Sequence, residues 1–209
     1  MYHYEFVTKN QAAPYKGKLI ELINKVQDEV RDYFTFQFNF IGSSSRDMIT
    51  FDSTTNIGFD FDVNIEVNDD NEDYTPGDIR TILRRAFTKF LPFFGYNKCE
   101  DSTRVITIKA IDFFNSRIIH SCDFAIVYNA GNRQQYIRYY KGTGTYIWEY
   151  QKQPYKELEK RADYLKKNSH WDEVRDKYLD KKNNNTNPNK HSRSLYAEAV
   201  NECYLRYKK

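Results

Sequence analysis

The chain has 209 residues, with 32 Lys and Arg against 29 Asp and Glu, so its formal net charge is only +3. That near-balance excludes a uniformly basic nucleic-acid coat, and no DNA binding is expected; any basic patch has to be local. Aromatic residues make up 17% of the chain, 18 Tyr, 15 Phe and 2 Trp, which excludes a disordered chain and requires a core built of rings as much as of aliphatics.

The N-terminal run MYHYEFVTKN has no apolar signal-like segment, and no apolar stretch approaches membrane-spanning length. The three cysteines, Cys99, Cys122 and Cys203, are far apart and form no CxxC pair. The four histidines show no zinc-ligand spacing. These features predict a soluble, cytoplasmic protein in a reducing compartment, without membrane association.

From Pro14 to Phe34, the residues Leu19, Leu22, Ile23, Val26, Val30 and Tyr33 recur at helical spacing, with Pro14 suited to the first turn. The period then becomes two. Phe34, Phe36, Phe38 and Phe40 alternate with polar residues and end at Gly42-Ser43-Ser44-Ser45. A second strand is predicted over Phe59–Val67, with Met48–Phe51 as a short extra strand between them. After the acidic loop Asp69–Asp73, Thr75-Pro76-Gly77-Asp78 supplies a capping hydroxyl, a proline and a first-turn carboxylate for a helix ended by Pro92. Strands over Arg104–Ile111 and Arg117–Tyr128 follow, joined at Phe114-Asn115-Ser116. Beyond Gly131 comes an aromatic, glycine-interrupted stretch, and then helices near 154–167, 171–182 and 193–207. The order predicts an α+β fold: a mixed sheet flanked by helices over residues 1–150, and a helical region packed on it over 151–209.

Asp60-Phe61-Asp62 lies on a predicted strand, so alternation puts both carboxylates on one face. Two like charges there repel unless a cation relieves them, and hard carboxylate oxygens suit Mg²⁺ with substrate phosphates. A solvated strand face is the plainer alternative. Upstream, Gly42-Ser43-Ser44 offers backbone N–H groups and hydroxyls to a phosphate, unless it is an ordinary serine-rich turn. Downstream, Asp123 sits among apolar residues in Ser121-Cys122-Asp123-Phe124-Ala125-Ile126-Val127, and so needs a metal, an arginine or hydrogen bonds. Cys122 reads as a small core residue rather than a nucleophile.

A Gly-Ser turn after a strand, Asp-x-Asp on the next strand and a third Asp on a later one resemble the DNA polymerase beta nucleotidyltransferase superfamily. Within it the chain is most similar to the branch of oligoadenylate synthetases, bacterial cyclic-oligonucleotide synthases and minimal nucleotidyltransferases. Trp148-Glu149 followed by Pro154 is reminiscent of the same branch, and the resemblance spans roughly residues 15–165. Eighteen positions separate Gly42 from Asp60, which implies an inserted hairpin around Met48–Gly58.

The resemblance implies an enzyme that moves a nucleoside monophosphate from an NTP such as ATP to an acceptor hydroxyl, releasing pyrophosphate. Asp60, Asp62 and Asp123 would be its catalytic, metal-binding acids, holding two Mg²⁺ or Mn²⁺ ions. Gly42, Ser43, Ser44 and Arg46 would hold phosphate, with Lys141 as a further charge partner, unless Arg46 and Lys141 are solvated loop charges. Tyr136, Tyr139, Tyr140 and Tyr146 offer rings to a base or pack against the protein. The acceptor stays open among a nucleotide, a small molecule, a protein and an RNA end. The alternative is a non-catalytic nucleotide- or partner-binding regulatory module of the same fold. A third reading, RNA binding by the Lys- and Arg-rich C-terminal helices, is weakened by interleaved acids such as Asp172, Glu173, Asp176 and Asp180. The Arg84-Arg85 pair reads as a solvated helix face.

Overall fold

The computed structural model describes residues 3–55, 57–69, 71–131, 133–151 and 156–208. Asp70, Pro154 and Lys209, which belong to sequence features discussed above, lie outside the described residues. The chain divides into two compact units. The larger holds Val7–Phe51 and Asn56–Gln151; the smaller holds Met1–Phe6, Asp52–Thr55 and Lys152–Lys209.

The larger unit opens with α1 (Lys9–Val30), which starts well before the proline expected at its first turn. Thr8 and Gln11 form a reciprocal capping box, with the Gln11 N–H on Thr8 Oγ1 (3.2 Å) and the Thr8 N–H on Gln11 Oε1 (2.8 Å). Pro14 therefore falls inside the helix, where it forfeits one backbone bond. Burial of Ala12, Leu19, Leu22, Ile23, Val26 and Val30 outweighs that loss, at roughly 1.5–3 kcal/mol for each large apolar side chain. The helix ends at Val30, and Phe34 turns into the following strand.

Among the described residues, seven strands form one mixed sheet. β2 (Thr35–Ile41) pairs antiparallel with β4 (Phe59–Asn68), and β4 pairs parallel with β7 (Arg117–Ala130). β6 (Val105–Asp112) and β5 (Lys98–Asp101) continue on the other side of β7. The long β7 extends past β6, and its last residues, Val127–Ala130, pair with β8 (Arg133–Tyr140), which pairs in turn with β9 (Thr145–Tyr150). β5 and the β8–β9 hairpin escape the sequence pattern, because their aromatic and charged residues do not alternate in hydropathy. The remaining strands are β1 (Tyr4–Phe6) and β3 (Thr50–Asp52), the latter close to the expected Met48–Phe51.

The main core lies on one face of the sheet. Phe61, Val63 and Ile65 of β4, Ile106 and Ile108 of β6, and Cys122, Phe124 and Ile126 of β7 are fully buried there. Against them pack α1 and α2 (Pro76–Phe90), whose Phe87 stacks on Phe124 at 4.3 Å between ring centroids. α2 begins as its sequence requires, with Thr75 and Asp78 in a capping box and Pro76 in the first turn. The opposite face of the sheet carries the polar residues of each strand.

In the smaller unit, α3 (Lys156–Lys167), α4 (Trp171–Asn183) and α5 (Ser192–Tyr207) bury Leu165, Val174, Leu195, Val200 and Cys203. Many of their basic residues are tied to acids: Lys177 and Lys181 to Glu202, Lys190 to Glu198, and Arg206 to Glu173. That lattice of pairs neutralises much of the charge that an RNA-binding face would need. β1 is anchored to α4, where Asn183 Oδ1 accepts from the Tyr4 N–H at 2.6 Å. No described helix is long and apolar enough to cross a membrane.

Candidate functional site

The parallel pairing of β4 with β7 sets Asp60 opposite Ser121 and Asp62 opposite Asp123. Since Phe61 and Cys122 point into the core, all three aspartates alternate onto the polar face. Antiparallel pairing adds Thr107, opposite Asp123, and Lys109, opposite Ser121. The three acids thus occupy neighbouring positions on two adjacent strands.

The Gly42 turn arrives at the same place by a different route. β2 runs antiparallel to β4 and ends with Ile41 opposite Asp62, so the chain leaves the sheet beside that carboxylate. Gly42 adopts φ +67°, and a Cβ built on it would lie 2.3 Å from Asp62 Oδ2 and 3.1 Å from its Cγ. Glycine is required here twice over, by a left-handed backbone and by close approach to an acid. A short 3₁₀ turn, Ser44–Arg46, follows; the Met48 N–H closes onto the Ser43 carbonyl at 2.9 Å, and the Ser45 hydroxyl donates to the Gly42 carbonyl at 3.0 Å. The Ser43 and Ser44 side chains have no hydrogen-bond partner among the described residues. The residues from Asp47 to Gly58 that separate turn from acids contain one short strand, β3, and no hairpin among the described residues, where the spacing implies an inserted one.

The acids are in electrostatic conflict. Burial, with the charges of Asp123 and Asp60, pushes the Asp62 carboxyl up to about 6, opposed by the nearby Arg46. Burial also raises Asp123; the Thr107 hydroxyl, donating to Asp123 Oδ1 at 2.5 Å, and Lys109 pull the other way while Asp60 adds to the rise. The Ser121 hydroxyl donates to Asp60. Asp123 therefore satisfies its burial with a hydrogen bond, one of the options open to it. Among the described residues, no three Asp, Glu, His or Cys side chains converge closely enough to hold a metal ion. The donor chemistry nevertheless suits a hard cation: three carboxylates with two hydroxyls, and raised proton affinities at Asp62 and Asp123 that a divalent ion would relieve.

The three acids, the turn and Arg46 are all legible in the sequence, and Asp62 is the carboxylate that the others lie near. Ser121 and Thr107 escaped that reading. Ser121 carries a signal, since it stands two residues before Asp123 on the same strand face; Thr107 carries none, because only the β6–β7 register brings it there. Lys141 is exposed in the turn between β8 and β9 and has no ion pair among the described residues. Of the tyrosines, Tyr136 and Tyr140 alternate onto the polar face, and Tyr136 donates to Glu149, which also pairs with Arg138 at 2.7 Å. Tyr139 and Tyr146 belong to the helix-facing side, edge to face at 5.2 Å. Cys122 is buried in the core, as expected.

This fold is that of the CD-NTase nucleotidyltransferases. Escherichia coli DncV in its 3′-deoxy GTP bound form superposes with a TM-score of 0.58 at 16% identity, over 90% of this chain and 52% of that one. The Bradyrhizobium diazoefficiens CD-NTase CdnG in complex with GTP gives 0.52 at 14% identity, over 70% and 40%. Vibrio cholerae DncV, a cyclic AMP-GMP synthase and prokaryotic cGAS homolog, gives 0.56 at 17% identity, over 89% and 50%. The chain thus spans about half the length of the structures it resembles. No family model and no curated protein matches the sequence.

Proposed function

We propose that this protein is a metal-dependent nucleotidyltransferase that moves a nucleoside monophosphate from an NTP to an acceptor hydroxyl and releases pyrophosphate. The observation that carries the reading is the contact of the Gly42 turn with Asp62, in a fold whose solved relatives were captured with nucleotides. A phosphate-holding turn and three carboxylates on one sheet face are what such a transfer needs.

In this reading Asp60, Asp62 and Asp123 hold the metal, Mg²⁺ or Mn²⁺, as two ions. When bound, these neutralise the triphosphate and make the acceptor hydroxyl more acidic. Ser43, Ser44 and the amides around Gly42 hold the terminal phosphates, with Arg46 as charge partner. The acceptor oxygen attacks the α-phosphorus, the bond from that phosphorus to the bridging oxygen of the β-phosphate breaks, and pyrophosphate leaves. Asp123, whose proton affinity is raised, accepts the acceptor's proton. Thr107 and Ser121 orient the Asp123 and Asp60 carboxylates. Residues 1–150 form the catalytic domain in this proposal, 151–209 its helical extension, and the protein works in the cytoplasm.

A second reading, a non-catalytic nucleotide-binding module, draws on the hydroxyls already engaging Asp60 and Asp123 and on the lack of a converged metal set among the described residues. One experiment separates them. Protein is incubated with Mg²⁺ or Mn²⁺ and each labelled NTP, and pyrophosphate and labelled products are measured. Transfer that disappears in the Asp60→Asn, Asp62→Asn double variant supports the enzyme. Transfer unchanged in that variant refutes the site, and NTP binding without turnover selects the module.

A further inference from the structure

On the helix side of the sheet, across from the acids, a cavity of about 710 Å³ opens between the end of α1, one flank of α2, β5 and β9. That volume suits a mononucleotide-sized ligand. Its walls hold four cationic side chains, Arg80, Arg84, Arg85 and Lys89, against two carboxylates, Glu29 and Asp101.

The pairing inside it is uneven. Asp101 serves both Arg80 and Arg84, the latter at 3.2 Å, and also accepts the Tyr146 hydroxyl at 2.8 Å. Glu29 is taken by Lys89 at 2.6 Å. Arg85 is left with no charge partner among the described residues. Arg80 is 1% exposed, yet its Nη1 has no hydrogen-bond partner, while its Nε and Nη2 bond to Asp101 and to the Ser102 and Val105 carbonyls. A buried guanidinium with an idle donor is costly, and Arg80 holds this one in the wall of the cavity. Tyr33, exposed at the rim, and Tyr146, whose ring lies 4.9 Å from the Arg80 guanidinium, give the same cavity flat apolar surfaces.

We infer that this cavity is a second ligand site, for a small organic anion bearing a phosphate or carboxylate group on a planar body. Arg85 binds the anionic group, Arg80 adds its charge from the wall, and the tyrosines flank the body. Binding here does not depend on catalysis at the acidic face.

The test is calorimetric titration of the full chain carrying Asp60→Asn and Asp62→Asn, so that the acidic face is disabled. AMP is the probe in one arm and benzoate, a carboxylate on a planar ring, in the other. Saturable binding is expected in at least one arm, weakened about tenfold or more by Arg85→Gln and by Thr81→Glu, which puts a negative charge on the wall, and weakened by added salt. The stronger arm identifies phosphate or carboxylate as the natural group. Equal affinity with and without Arg85→Gln, or no saturable binding of either probe at about 10 mM (roughly the weakest affinity a specific site would show), overturns the inference. Thermal unfolding of both surface variants at the temperature of the parent shows that lost binding reflects the site and not the fold.

Discussion

Replacing Gly42 by alanine tests the union of turn and acids directly. The new methyl would start 2.3 Å from Asp62 Oδ2, and ordinary contact begins near 3.4 Å, so the turn or the carboxylate moves by about 1 Å. The backbone at φ +67° adds a strain of about 1–2 kcal/mol for a residue with a Cβ. For a chain of this length, that strain lowers the melting temperature by roughly 2–8 °C. A displacement of this size at a reacting centre costs about a hundredfold in rate. Gly95→Ala separates the two effects. Gly95 has φ +78° and no atom within 4 Å of where a Cβ would stand, so alanine there brings the strain without the collision. The expected result is a melting-temperature loss in both variants, at least as large in Gly42→Ala, with pyrophosphate release falling about a hundredfold only in Gly42→Ala. Equal release by the two variants would refute the claim that the turn and Asp62 work as one site.

The electrostatics of the molecule supply further tests. Asp62 is raised to about 6 from an ordinary 3.8, so its ionisation costs stability as pH rises through that window. Asp62→Asn, without metal at pH 8, should then stabilise the fold by up to roughly 3 kcal/mol, and the gain should vanish at pH 4. Added Mg²⁺ should raise the melting temperature of the native chain but not of the Asp60→Asn, Asp62→Asn variant; an equal rise in both would count against metal binding by these acids. His120 is 2% exposed among Tyr15, Phe59, Phe61 and Tyr96, and burial depresses it from 6.5 to about 4. Its contribution to stability is present above pH 6.5 and is lost as pH falls toward 4, a drop of roughly 3 kcal/mol that denaturant titrations should register and His120→Leu should flatten. Asp101→Asn strips the buried Arg80 of its charge partner and should cost about 3–5 kcal/mol in chemical denaturation, whereas Arg84→Gln, at the exposed arm of the same carboxylate, should cost under about 1 kcal/mol. Equal losses would show that the burial of Arg80 carries no special weight.

The features legible in the chain alone are those set by local geometry. A period of two puts Asp60 and Asp62 on one face and Phe61 and Val63 on the other, and the strand is there with that alternation. Thr75, Pro76 and Asp78 start a helix because a capping hydroxyl, a fixed φ and a first-turn carboxylate act within a few residues. Pro14 shows where the same logic gives way: its preference for a first turn loses to the Thr8 and Gln11 cap and to a buried helix face.

The site itself is only half legible. Its residue types stand in the sequence, but that Asp62 faces Asp123, that Gly42 presses on Asp62, and that Thr107 reaches Asp123 depend on the registers of three separate strand pairs. The Arg84-Arg85 pair reads as a solvated helix face and is indeed largely exposed, yet it borders a cavity because β5 and β9 bring Asp101 and Tyr146 to α2. Alternation and capping are encoded over a turn or a few residues of strand. Register between distant strands is settled by the burial of the whole apolar face, and no short stretch of sequence holds that information.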